Sequence, residues 1–321
     1  MKASLPSASL PTTDPDRSRD RVQFSDADFK IIADLAMRDF GLHLTLAKRD
    51  LVYSRLLKRL RALGLDQFGD YCALLTSPQG EGERTAMLSA LTTNVTHFFR
   101  EDHHFKLLRE VALAPLIKAA REGGRVRIWS AGCSAGQEPY SLAFTLLSQC
   151  PEAARLNLRI LATDVDAEIL AKAEAGLYPE EERKAIPEAM RKFIEPASNG
   201  RFTIGSAARE LITFGKLNLI ENWPISGPFQ VIFCRNVAIY FDKPTQAKLW
   251  ARFGELLSPN GHLCIGHSER VAGPAEQMFR AVGVTAYQRL PASAAEKPAS
   301  KTTAVAPLQN SSSDRQEGHQ K

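Results

Sequence analysis

The segment RVRIWSAGCSAGQEPYSLAFTLL, residues 125–147, runs from a short apolar strand pattern through a loop with Gly132 and Gly136 into a helical pattern. In open α/β sheets, ligands bind beyond the carboxyl ends of the strands, over such loops, and glycine lets the backbone come close to them. The spacing is G-x-x-x-G, not the G-x-G-x-x-G of dinucleotide binders, and no G-K-[ST] of a triphosphate P-loop follows. Glycines at a strand–helix turn are as often structural. The next apolar run, LRILATDV, ends in Asp164, and an acid at that place can accept hydrogen bonds from both hydroxyls of a ribose. Asp164 could instead cap the helix opening in DVDAEIL, a role Asp166 can equally take. The loop and this carboxylate together fit an adenosine-bearing ligand with no required pyrophosphate, and S-adenosylmethionine is the candidate. Glu138, just past the loop, could take the ammonium of its methionine part.

A second stretch, TTNVTHFFRE at 92–101, fits no clean helix or strand period. It sets short hydrogen-bonding groups (Thr92, Thr93, Asn94, Thr96, His97) beside Phe98, Phe99 and the pair Arg100–Glu101.

The elements that must hold these residues change in texture along the chain. From FSDADFKIIADLAMRDFG onward, Phe29, Ile32, Leu35, Ala36 and Phe40 repeat at helical spacing. Ser25 and Asp28 make a short-armed capping box, Phe24 and Phe29 a staple, and Gly41 a C-terminal stop. A second helix is expected in TLAKRDLVYSRLLKRLRALG with Thr45 as N-cap and Gly64 as stop, a third in FGDYCALLTS and a fourth in ERTAMLSALTT. Residues 21–95 thus predict an all-helical domain. From Arg125 short β-rich runs (VRIWSAG, LRILATDV, ELITFGKLNL, FQVIFCRN, GHLCIGHS) alternate with helical ones (EPYSLAFTLLSQ, PTQAKLWARFGELL), the pattern of an α/β domain with a mostly parallel sheet over 96–290. MFRAVGVTAYQRL predicts a closing pair of edge strands. Residues 1–20 and 291–321 are rich in Ser, Pro, Thr and Ala, a composition that predicts disorder.

Bulk properties bound the partners. The chain has 321 residues, a net charge of +5 and five scattered cysteines with no C-x-x-C, which excludes a disulfide framework and a cysteine zinc site and fits a reducing cytoplasm. No apolar run approaches the ~20 residues of a membrane span, and the N-terminus has no apolar core of a signal peptide. The second helix carries Lys48, Arg49, Arg55, Lys58, Arg59 and Arg61 against Asp50. It is either a solvated face or a docking surface for an acidic partner. Only Tyr53 stands among those charges, too few aromatics for a stacking platform, which argues against nucleic acid.

Taken in order, TTNVTHFFRE, WSAGCSAGQEPYSLA, ATDVDAEILAKAEAGLY, GKLNLI, IFCRNVAIYFD and IGHSER resemble the chemotaxis receptor methyltransferases, the CheR family, over roughly residues 20–290. The resemblance implies a helical N-terminal domain joined to a Rossmann-like, S-adenosylmethionine-dependent methyltransferase domain. A small antiparallel β-subdomain is inserted, expected here at 180–215 with strands RKFIEP, GRFTIG and ELITFG and a tight turn at Asn199-Gly200. It implies methyl transfer to glutamates on the cytoplasmic helical bundle of a chemoreceptor, giving methyl esters and S-adenosylhomocysteine, with no metal. It also implies that Asn94, Thr96 and Arg100, the loop from Ala131 and Gly132 to Gly136, Glu138, Asp164, Asn218 with Leu219, and Arg235 with Asn236 surround the cofactor. Arg100 and Tyr240 stand at the reaction centre, and the helix with Arg55 and Arg59 becomes the receptor-docking surface. The sequence departs from the family at Gln137, usually Glu, and at Ala238, usually larger. The first hairpin of the insertion is short, which predicts no binding of a receptor tail peptide.

This reading accounts for the polar stretch at 92–101. A glutamate carboxylate is already a nucleophile at neutral pH, with a reference pKa of about 4.3. The site needs no general base; it must align the carboxylate and exclude water. The planar fork of Arg100 suits a carboxylate, Tyr240 offers a hydroxyl, and Phe98 and Phe99 are either a dry wall or plain core. Two other readings compete: a methyltransferase of another protein carboxylate, and a non-catalytic S-adenosylmethionine-sensing adapter.

Overall fold

The computed structural model describes residues 22–92 and 95–291. The expectations for residues 1–20, for the tail from 292 onward and for Asn94 lie outside the described residues.

Four helices come first: α1 (Asp26–Phe40), α2 (Arg49–Ala62), α3 (Phe68–Thr76) and α4 (Glu81–Leu91). α1 starts as its sequence demands. Ser25 Oγ accepts from the Asp28 amide at 3.1 Å, and Asp28 accepts from the Ser25 amide at 2.8 Å. Gly41 ends it in the left-handed conformation. The start of α2 departs from expectation. Thr45 makes no side-chain cap bond, and Leu46–Lys48 forms a 3-10 turn with no buried residue to hold it in α geometry. Phe29, Ile32, Val52, Leu56, Phe68 and Leu75 share the bundle core.

The remainder begins with α5 (His103–Leu107) and α6 (Leu113–Arg121), joined by a π-helical turn over Leu108–Ala112. The strands are β1 (Val126–Ala131), β2 (Leu158–Asp164), β3 (Leu177–Pro179), β4 (Ile194–Ala197), β5 (Arg201–Ile204), β6 (Ile212–Lys216), β7 (Phe229–Cys234), β8 (Leu257–Ile265), β9 (Phe279–Gly283) and β10 (Ala286–Arg289). Between them run α7 (Gln137–Gln149), α8 (Ala167–Ala175), α9 (Ser206–Arg209) and α10 (Lys243–Leu256). The main sheet has the order β6-β2-β1-β7-β8-β10-β9. Its first five strands are parallel, and β10 and then β9 are added by antiparallel pairing, so that β10 alone runs the opposite way. Both faces are covered, so the inner strands are apolar on both sides. Ile128, Val231 and Phe233 pack with α5, α6 and α7, while Trp129, Ile232 and Cys234 pack with α10.

The chain builds outward from β1 to β2 and β6, then returns to β7 on the other side of β1. The crevice beyond the carboxyl ends of β1 and β7 is therefore a topological switch point, where such sheets bind ligands.

The small sheet differs in membership from expectation. Its order is β3-β5-β4, all antiparallel, so its third strand is Leu177–Pro179. ELITFG instead gives β6, which pairs in parallel with β2 at the edge of the main sheet. The apolar alternation of that segment matched either place. Asn199 and Gly200 both take positive φ in the turn between β4 and β5.

Bundle and sheet meet in a few specific bonds. Leu42 bridges Phe241 in antiparallel fashion, and the His43 amide donates to the Tyr240 carbonyl at 2.8 Å.

Candidate active site

A cavity of about 720 Å³ opens at the switch point and extends to the helical bundle. The loops after β1, β2, β6 and β7 each contribute wall: Gly132 and Glu138, Asp164, Asn218 and Leu219, and Arg235, Asn236 and Tyr240. Thr96, His97 and Arg100 close it from the segment before α5, and Lys48 from the 3-10 turn and Leu51 and Arg55 from α2 line it.

Two residues of the expected set do not reach the cavity wall. Ala131 is buried in the core around Trp129 and Ile265. Gly136 has φ +95°, and a Cβ there would come within 2.8 Å of the Tyr178 hydroxyl and 2.9 Å of Ala173 Cβ. Its requirement is backbone packing between α7 and α8. Gly132 combines both demands. It has φ +81°, and a Cβ would lie 2.3 Å from Val237 Cγ2, so only glycine lets the loops after β1 and β7 meet.

Arg235 is the centre of the charged network. Its side chain is 2% exposed and reaches Glu138 at 3.2 Å and Glu101 at 3.5 Å. It also donates to the carbonyl of Arg100. Arg100 itself sits between two non-glycine residues with positive φ, Phe99 at 54° and Glu101 at 56°. Such backbone is costly and persists only when over-determined by its surroundings. Here the Phe99 amide donates to Ser141 Oγ at 3.0 Å, and Glu101 Oε1 accepts from His267. The turn sends the Arg100 carbonyl inward to Arg235, while Arg100 Nη1 donates to the Val95 carbonyl at 3.1 Å.

The acids are tuned in different directions. Burial pushes Glu138 above the usual carboxylate range, against the pull of Arg235 and the Ser130 hydroxyl that donates to it at 2.7 Å. Burial likewise raises Asp164, against the amides of Asp166 and Ser134 that donate to it at 3.1 and 2.8 Å. Burial works upward on Glu101 as well, but Arg235 and the His267 hydrogen bonds outweigh it and the net shift is downward. Asp166 caps α8, accepting from the Glu168 and Ile169 amides, so Asp164 is not needed as that cap.

The residues present fit a polar nucleoside-bearing ligand. Asn236, held in left-handed backbone, has a buried Oδ1 with no hydrogen-bond partner among the described residues, and it lies in the cavity wall. An unpaired buried acceptor is costly unless a ligand donor meets it. Asn218 is different: its Nδ2 donates to the Asp39 carbonyl at 2.8 Å and to Glu221 at 2.9 Å, tying the loop after β6 to α1. Phe98 packs with Phe144, Tyr178 and Phe202, and Phe99 with Phe105. Both are core, and neither forms a dry wall of the cavity.

Two acids were missed by sequence reasoning although both lie in quoted motifs. Glu101 ends TTNVTHFFRE. Glu269, in IGHSER, is buried and accepts from the amides of Gly266 at 2.6 Å and of Asn236 and Ile239 at 3.2 Å. It fixes the loop that carries Asn236 and Tyr240. Each stands beside an arginine in its motif, Glu101 after Arg100 and Glu269 before Arg270, which masks the distant partner each actually binds.

The basic helix is less free than its charge suggests. Arg59 forms a fork with Glu83, at 3.0 Å through Nε and 2.5 Å through Nη2. Arg55 donates to the Leu91 carbonyl at 2.6 Å, at the end of α4. Arg49 reaches Asp26 at 3.3 Å, whereas Lys58 and Arg61 are exposed. All five cysteines are buried and free, and no helix among the described residues is long and apolar enough to cross a membrane.

Comparison with known proteins gives two family matches. The family described as CheR methyltransferase, all-alpha domain, matches residues 27–92. The one described as CheR methyltransferase, SAM binding domain, matches residues 94–288. The chain is 53% identical over 254 residues to a probable chemotaxis protein methyltransferase of Rhizobium etli, covering 78% of this chain and 95% of that one. It is 41% identical over 273 residues to the chemotaxis protein methyltransferase of Escherichia coli, covering 84% and 92%. A chemotaxis protein methyltransferase of Borreliella burgdorferi is 36% identical over 245 residues, covering 74% and 86%.

Proposed function

The chain belongs to the CheR methyltransferase family, and on that premise we propose that it methylates glutamate side chains of chemoreceptors. The methyl donor is S-adenosylmethionine, the acceptors lie on the receptor's cytoplasmic helical bundle, and the products are glutamate methyl esters and S-adenosylhomocysteine. The protein acts in the cytoplasm. When bound, the donor supplies a methyl group already activated on a sulfonium. The acceptor carboxylate forms a bond to that carbon as the carbon–sulfur bond breaks, so no proton has to move.

The carrying observation is the placement of Arg100. It lines the same cavity as Tyr240, Asp164 and Asn236, at the switch point of the sheet, on a turn braced by Arg235 and Ser141. Arg100 would hold the acceptor carboxylate by its planar fork, with the Tyr240 hydroxyl beside it. Positioning of this kind is worth about 7–11 kcal/mol in favourable cases. Asp164 and Asn236 would hold the nucleoside, and Glu138 the amino-acid end, sharing its carboxylate with Arg235. Thr96, Gly132 and Leu219 would complete the donor site. Asn94 keeps its proposed place there from the family motif.

The acceptor helix would lie along α2. Leu46, Leu51, Val95 and Ile239 are exposed apolar residues, and Leu51, Val95 and Ile239 rim the cavity with Lys48 and Arg55. An amphipathic acidic helix matches such a mixed surface. With Arg59 held by Glu83 and Arg55 donating to the Leu91 carbonyl, Lys58 and Arg61 are the outward charges of this face.

The test is incubation with methyl-labelled S-adenosylmethionine and a receptor cytoplasmic fragment, followed by mild base. Label released as methanol identifies a carboxyl ester. Base-stable label, or none, overturns the proposal.

A further inference from the structure

Directly after the Arg100 turn, His103 and His104 open α5 beside Glu101. One ligand atom from each of these three residues can be chosen so that all lie within 4.8 Å of one another. His104 has no exposed surface. Its Nε2 lies 3.1 Å from Thr285 Oγ1, while its Nδ1 is buried without a hydrogen-bond partner among the described residues. That Nδ1 points to Glu101 Oε2 at 3.7 Å, an oxygen that itself has no hydrogen bond. The gap is too long for an N–H···O bond, whose usual range ends near 3.2 Å. It is close to the separation of two ligand atoms across a tetrahedral ion, about 3.3 Å for bonds near 2.0–2.1 Å.

We propose that Glu101, His103 and His104 form a binding site for a divalent transition-metal ion, with Nδ1 of His104 as its buried ligand. With Nε2–H donated to the Thr285 hydroxyl, the lone pair stands on Nδ1 and the ring is oriented, as by the supporting partner of a metal-bound imidazole. The Glu101 carboxylate is held in place by His267 at 3.2 Å. His103 is exposed, so the remaining coordination position faces solvent. Two imidazoles and a carboxylate favour zinc, nickel or copper over magnesium or calcium. Arg235 competes for Glu101 at 3.5 Å, but it retains Glu138 and the Arg100 carbonyl when the ion takes that oxygen.

The test titrates the full chain with Zn(II) against a chromophoric chelator and records the visible spectrum of the Co(II)-loaded protein. One ion per chain with micromolar or tighter affinity is expected, with Co(II) bands of a four- or five-coordinate nitrogen–oxygen site. His103→Ala, an exposed change that leaves the metal-free melting temperature unaltered, should weaken Zn(II) by roughly tenfold or more. Three results each overturn the site: no stoichiometric uptake, unchanged affinity in His103→Ala, or the weak spectrum of six-coordinate aqueous Co(II). The spectrum is read on the unsubstituted protein, so the outcome does not depend on any variant folding. The result is also independent of the methyl-transfer proposal.

Discussion

Arg59 in the helical bundle and Arg235 at the end of β7 both meet carboxylates, in opposite settings. Arg59 forks onto Glu83 with a third of its side chain exposed, and Tyr71 donates to the same acid at 2.9 Å. The pair staples α2 to α4 where water still screens it. Arg235 lies in the interior between two acids on different segments, and its charge also fixes the Arg100 carbonyl. The same residue type braces a surface in one place and fixes part of the cavity wall in the other. Net charge read along the chain cannot tell these apart, because it does not report which charges are already consumed.

The sharpest test of that contrast removes each arginine in turn. Arg235→Met strands two largely buried carboxylates and should cost about 3–5 kcal/mol in urea denaturation. Arg59→Ala should cost about 1 kcal/mol, since its pair is partly solvated. If the two losses are equal, burial is not what separates the regions.

Within the cavity the proposed division is between positioning the acceptor and holding the nucleoside. Arg100→Ala should lower turnover by about 100- to 1000-fold, the usual effect of removing one preorganised donor. S-adenosylhomocysteine affinity, measured by calorimetry, should stay within about tenfold of the parent. Near-normal turnover would remove Arg100 from the reaction centre. Asp164→Ala should show the reverse emphasis, losing about 2–4 kcal/mol of S-adenosylhomocysteine affinity, since each charged hydrogen bond is worth about 1.5–3 kcal/mol. An unchanged dissociation constant would reduce Asp164 to its observed structural bonds, those from the Ser134 and Asp166 amides.

Legibility in the sequence follows the range of the interactions. The capping box of α1, the strand runs of the main sheet and the glycine loop are local signals, and the structure carries each of them. The helical stretch of α5 and α6 went unread even though Phe105, Leu108, Ala112 and Ile117 repeat at three- to five-residue spacing. Its π turn stretches the period midway and blurs the stripe. ELITFG was placed both in the small sheet and in the main one. Strand alternation alone does not name a partner. Glu101 and Glu269 were unreadable as network members because their partners lie far off in sequence, at Arg235, His267 and the loop after β7. Gly136 was over-read: its positive φ serves the approach of α7 to α8, not the cavity wall.

The smallest expected effect tests what remains of the basic face once paired charges are set aside. Lys58 and Arg61 are exposed on α2, so they can attract an acidic helix without bracing the bundle. The double change Lys58→Glu and Arg61→Glu should leave urea stability within about 0.5 kcal/mol, as surface substitutions usually do. It should raise the Michaelis constant for a receptor fragment severalfold at low salt, through slower encounter. That penalty should shrink as salt is added, because the screening length falls to about 10 Å at 0.1 M and about 3 Å at 1 M. Cofactor affinity should not move. If receptor kinetics ignore the reversal at every salt concentration, the acceptor is guided by the apolar rim of the cavity at Leu51, Val95 and Ile239 alone, and the charge on the outer face of α2 serves only its hydration.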